Sequence, residues 1–153
     1  MKKLRILLVL VFILTGCTNP KDSNLYSQKD LSTEKVNNAT LKNIDIKGIE
    51  SLVEKQKTFL VIASLDDCKY CIEYKEIISN MKDFDYEIYE LSVTEDMEEE
   101  YISFIQKYPY DEESQEILFP STFIFEHGDF KANSKGVIKE ETLKEWIEIQ
   151  IEK

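Results

Sequence analysis

The apolar positions change rhythm several times along the chain, and each rhythm predicts an element. "LKNIDI" (41–46) reads as a short strand, and "GIESLVEKQK" (48–57) as a short helix with Ile49, Leu52 and Val53 on one face. "TFLVIAS" (58–64) is a continuous apolar run rich in β-branched residues, the pattern of a strand covered on both faces. From Lys69 to Met81 the positions Tyr70, Tyr74, Ile77, Ile78 and Met81 return at helical spacing. "YEIYELSV" (86–93) alternates as a strand. Thr94 then offers an N-cap, and Glu95, Asp96, Glu98 and Glu99 fill the first turn of a helix that should end before Pro109. "STFIFEHGDFKA" (121–132) predicts a hairpin turning at Glu126–Asp129, with Gly128 supplying the permissive backbone. "KEETLKEWIEIQI" closes the chain with Leu143, Trp146, Ile147 and Ile151 on one stripe. The order βαβαβαββα predicts an α/β fold, a central mixed sheet with helices on both faces and an antiparallel final pair.

Upstream of these elements the pattern differs. Lys2, Lys3 and Arg5 precede an unbroken apolar run from Ile6 to Leu14, and small residues lead into Cys17. That run is too short to cross about 30 Å of hydrocarbon as a helix, and it fits the core of a secretory signal. "LTGC" (14–17) resembles the lipobox of bacterial lipoproteins, which implies that Cys17 is lipidated and becomes the first mature residue. The domains expected are therefore a signal peptide (1–16), a lipidated Cys17 with a polar tether (17–40), and a folded domain (41–153). The location expected is the extracytoplasmic face of the cell membrane. The tether, rich in Asn, Ser, Thr and Lys, has no apolar periodicity.

Removing residues 1–16 discards three positive charges and no negative ones, so the formal net charge of −11 becomes −14. So acidic a domain argues against nucleic acid as a partner, because phosphate contacts need clustered Lys and Arg. It also leaves membrane attachment to the lipid, and a diacyl modification anchors stably where one chain does not.

With Cys17 assigned to lipid, Cys68 and Cys71 are the remaining cysteines. Disulfides are permitted outside the cytoplasm, yet two cysteines three residues apart are no scaffold of staples. Their C-x-x-C falls between an apolar strand and the helix after it, where such a motif reads as a redox pair. At a helix N-terminus the partial positive charge and unpaired N–H groups favour a thiolate. That makes Cys68 the candidate nucleophile and Cys71, inside the first turn, the candidate resolving thiol. Asp66 and Asp67 oppose the Cys68 thiolate while Lys69 supports it. Each such pair is worth about 1 kcal/mol at ~4 Å in water and less in salt, so an extreme oxidant is not expected.

"DDCKYC" followed by "FPSTFIFEHGDF" resembles the thioredoxin-like superfamily over roughly residues 41–153. In that family a C-x-x-C at a strand-to-helix junction faces a cis-proline. The matching position is Pro120, and its eight-residue step to Gly128 equals the family's step from cis-proline to hairpin glycine. The resemblance implies a thioredoxin-like fold and thiol–disulfide exchange through Cys68 and Cys71 with Pro120. It implies a substrate groove flanked by Phe119 and Ser121 together with Lys69 and Tyr70. It also implies protein or peptide thiols and disulfides as substrates, a separate redox partner, and no cofactor. Lipobox, size and acidity look like small Gram-positive thioredoxin-like lipoproteins, close to accessory proteins associated with bacteriocin production. The chain also departs from the family. Ile62 stands where thioredoxins carry a buried acid, Asp67 where they carry an aromatic residue, and Lys69-Tyr70 where they carry Gly-Pro. Proton transfer from Cys71 must therefore use water or another group.

Other readings stay open on the residues alone. The domain could be a lipid-anchored binding module in which the disulfide only staples the surface. A zinc site wants four N or S ligands, and beyond the two cysteines the chain offers only His127, in a turn; copper held with help from Met97 is a remote variant. Glu95 to Glu100 lacks the alternating ligands and glycine of a calcium loop. "YPYDEESQEILF" (108–119) precedes Pro120 and could supply Tyr and Glu side chains that select a substrate.

Overall fold

In a computed structural model, residues 39–108 and 116–151 are described; the segments expected to be a signal peptide and, but for its last two residues, a tether, with Cys17, lie outside them, as do 109–115. Ten elements follow the expected order. They are β1 (Leu41–Asn43), α1 (Ile46–Glu54), β2 (Phe59–Ser64), α2 (Lys69–Asn80), β3 (Glu87–Ser92), a 3₁₀ turn (Glu95–Met97), α3 (Glu98–Lys107), β4 (Ser121–Glu126), β5 (Asp129–Lys135) and α4 (Glu140–Gln150). The five strands form one mixed sheet in the order β1-β3-β2-β4-β5. β1, β3 and β2 run parallel, and β4 and β5 are antiparallel to their neighbours.

Alternation along the strands sorts the core into two layers. Phe59, Val61 and Ala63 face one way, with Leu91, Phe123 and Phe125, and meet Ile46 and Ile49 of α1 and Tyr101 and Phe104 of α3. Leu60, Ile62, Ile88 and Ile124 face the other way and meet Tyr74 and Ile78 of α2 and Leu143 and Ile147 of α4. β2 is buried along its whole length, as its unbroken apolar run requires. Burying each such side chain contributes roughly 1.5–3 kcal/mol, which is what holds helices on both faces. Among the described residues no helix is long and apolar enough to cross a membrane.

Three boundaries differ from the sequence reading. The first helix begins at Ile46, inside the segment read as strand, because the Asp45 carboxylate caps it by accepting from the Gly48 N–H at 2.7 Å. Thr94 precedes its helix but makes no side-chain cap; its hydroxyl donates to Asp96 instead, and the chain tightens into a 3₁₀ turn first. The last strand runs on to Lys135 because β4 pairs with it along its length. The hairpin turns at His127 and Gly128, both at positive φ (50° and 84°), the geometry of a two-residue primed turn.

Candidate redox site

β2 and β3 are parallel, so their chains leave the sheet at the same edge, and β4 enters there from Pro120. Ser64 ends β2, and four residues later Cys68 caps α2. Its extended backbone places Sγ over the first turn, where it accepts the Cys71 N–H at 3.1 Å. Cys68 and Cys71 are joined in a disulfide, with Cα atoms 5.2 Å apart. The two sulfurs differ in access. Cys68 is half-buried, whereas Cys71 is fully buried under the helix.

Pro120 follows a cis bond from Phe119. The Phe119 carbonyl oxygen lies 3.9 Å from Cys68 Sγ, so the loop before β4 stands directly beside the outer sulfur. The Phe119 ring is turned away, half-buried and stacked on Tyr101 at 5.3 Å between centroids. Ser121 is fully buried and its hydroxyl donates to the Leu118 carbonyl, so its side chain does not line an open groove. Lys69 and Tyr70 are exposed; Tyr70, counted above with the apolar stripe of its helix, is 62% exposed, and the stripe continues through Cys71, Tyr74 and Ile78. Leu65 and Leu118 are also exposed at this end of the sheet. Asp66 and Asp67 are exposed beside Cys68. His127 sits in the hairpin turn at the far end of β4. Among the described residues no three metal-ligating side chains come together.

One polar cluster beneath α2 was not anticipated. Glu90, Ile62 and Thr122 form a row across β3, β2 and β4. Ile62 is flanked by polar partners on both sides. On one, Glu90 Oε1 accepts from Ser64 Oγ at 2.6 Å and from Lys75 Nζ at 2.8 Å. On the other, Tyr74 and Thr122 share a hydrogen bond of 2.9 Å. Burial works to raise the Glu90 pKa, but hydrogen bonds from Lys75 and Ser64 outweigh it and hold the carboxyl below its usual range. Burial pushes Tyr74 up to about 12, so it stays neutral. The signal for Glu90 was present in "YEIYELSV": an acid two residues from Ile88 lies on the apolar face of its strand.

No protein-family model matches the chain, and no curated protein matches it. Solved structures do. A thioredoxin-like protein from Clostridium perfringens is 14% identical, covering 81% of this chain and 90% of its own, with a TM-score of 0.53. Thioredoxin from Malassezia sympodialis is 12% identical over 73% of this chain and 91% of its own, with a TM-score of 0.54. Thioredoxin f from spinach chloroplast is 12% identical over 73% and 94%, with a TM-score of 0.52. At such identities the likeness shows the fold: this chain has the thioredoxin fold, with a C-x-x-C disulfide at the start of α2.

Proposed function

We propose that this thioredoxin-fold chain is a thiol–disulfide oxidoreductase acting through the Cys68/Cys71 dithiol on protein or peptide substrates outside the cytoplasm. The observation that carries the reading is the asymmetry of the disulfide. Cys68 is reachable at a helix N-terminus beside the cis Phe119–Pro120 bond, and Cys71 is buried behind it.

That asymmetry orders the steps. In the reducing direction the Cys68 thiolate attacks one sulfur of a substrate disulfide. A Cys68–substrate disulfide forms, the substrate's own S–S bond breaks, and the first substrate sulfur leaves as a thiolate that takes a proton. Cys71 then loses its proton and attacks Cys68 Sγ. The Cys68–Cys71 bond closes, the second substrate sulfur leaves, and two electrons have passed to the substrate. Oxidation is the same path reversed. The exposed Tyr70 and Leu118, on either side of the Phe119 carbonyl beside Cys68, give the approaching segment an apolar surround. Lipid attachment at Cys17, an extracytoplasmic address and kinship with Gram-positive lipoproteins are part of the proposal and rest on residues 1–17. Electrons would be exchanged with a separate redox partner.

The test is trapping. A Cys71→Ser variant, mixed with a disulfide-bearing peptide, should accumulate a covalent adduct on Cys68, while Cys68→Ser should form none on Cys71. Equal adducts on both cysteines, or none on either, would remove the reading.

A further inference from the structure

Glu90 is a buried carboxylate for which the exchange steps above have no role. On its face of β3 it stands between Ile88 and Ser92, yet Glu90 is only 9% exposed and holds two donors on one oxygen. Lys75, one of these donors, is four residues beyond Cys71 on α2. Residues at that spacing sit on the same helix face, about 5–6 Å apart at Cβ. Cys71 and Lys75 therefore both look down onto the sheet, one over the disulfide and the other over Glu90.

We propose that the Lys75–Glu90 pair is a charge device that sets how readily the buried Cys71 thiol ionises, a positioning role that rests on the redox reading. The groups facing the Glu90 carboxylate are Lys75 from α2, Ser64 from β2, Ser92 along β3, and Asn43, its register partner on β1. On the far side of Ile62, Tyr74 and Thr122 are uncharged over the range in which thiols titrate. Near Cys68, Asp67 and Lys69 carry opposite charges in solvent and act weakly. The pair thus brings both signs of charge under the same helix face as Cys71, with Lys75 partly covered and Glu90 almost wholly so. The ammonium favours the thiolate and the carboxylate opposes it.

Glu90 is not cast as the base that takes the Cys71 proton. An effective base has a pKa near the working pH, and Glu90 is held low by its donors. Its influence is that of a fixed charge.

The device predicts opposite responses from its two halves. Glu90→Gln keeps the shape and a hydrogen-bond acceptor for Ser64 but removes the opposing charge, so the Cys71 thiol should ionise about tenfold more readily, one pH unit lower. Lys75→Met removes the favouring charge, so Cys71 should ionise about tenfold less readily. Lys75→Arg keeps the charge and should titrate close to the wild type. The readout is the pH titration of the Cβ signals of carbon-labelled cysteine in the reduced full chain in mild detergent, which resolves Cys71 from Cys68 and Cys17. A purely structural role for the pair would loosen the domain in both variants and move the titration the same way. Same-direction shifts, or shifts under about twofold in both, overturn the proposal. Should Lys75→Met fail to fold, Glu90→Gln against Lys75→Arg decides it by the same criterion. Exchange of the wild type with glutathione is measured separately. Exchange without the opposed shifts overturns the charge device, whereas opposed shifts without exchange uphold it and remove the redox reading instead.

Discussion

The charge on Glu90 also couples to stability. A carboxyl whose folded pKa lies below its unfolded value contributes stability above the unfolded value, and the contribution is lost as pH falls through the folded one. Glu90 is of this kind, held below the usual 4.5 by Lys75 and Ser64 against the cost of burial. Denaturant unfolding should therefore show wild type more stable than Glu90→Gln at neutral pH, with the gap closing as the solution is taken below about pH 4.5. A gap that stays constant down to strongly acid pH would contradict it. At this scale the sequence was most legible where chemistry is local. The placing of Cys68 at the N-cap of α2 and of Cys71 in its first turn follows from the strand-to-helix junction around the C-x-x-C. The partnership of Glu90 with Lys75 was not legible, because it needs the register of β3 against β2 and the phase of α2 above them.

At the scale of elements, two contacts outside the disulfide fix β4, one towards each end. Tyr74 pins α2 to β4 through Thr122, two residues after Pro120. Tyr74→Phe leaves the buried Thr122 hydroxyl without that partner and should cost about 1–3 kcal/mol. Adding Thr122→Val removes the orphan, so the double variant should recover part of the loss; a double variant with the two single losses simply summed would show that the bond is not what matters. The second contact is the β4–β5 turn. Gly128 has φ +84°, and a Cβ there would run into the Val53 carbonyl oxygen, while its N–H donates to the Lys57 carbonyl at 2.9 Å. Gly128→Ala should destabilise by at least about 1–3 kcal/mol, the cost of the backbone conformation alone. The turn lies at the opposite end of β4 from Pro120, so the reduction potential should not move; a changed potential would mean that strain reaches the site. The hairpin was legible because Gly128 marks its turn in the sequence. The start of α1 was less so, since Asp45 lies in a stretch whose apolar alternation mimics a strand until the cap is seen.

For the whole molecule, topology explains why one short motif suffices to build the site. Parallel β2 and β3 deliver their C-terminal ends to one edge, and the crossover through α3 brings Pro120 back to that edge from more than forty residues away. The helix–strand order predicted the mixed sheet with helices on both faces, because buried β2 needs cover on each side. Side-chain access was not legible. Ser121 and Phe119 both flank the proline in sequence, yet one is buried and the other turns its ring onto Tyr101, and only the packing of α3 decides that.

In the proposed reaction the Cys68–Cys71 bond opens and closes while the domain stays folded. Its most direct test is the reduction potential of the full chain, titrated against a thiol buffer and read by alkylation and mass. A reversible two-electron exchange is expected between about −270 and −120 mV, the span from thioredoxin to strong oxidants, with native structure kept throughout. A bond that stays closed to below about −300 mV, as structural disulfides do, or that opens only when the domain unfolds, would contradict it.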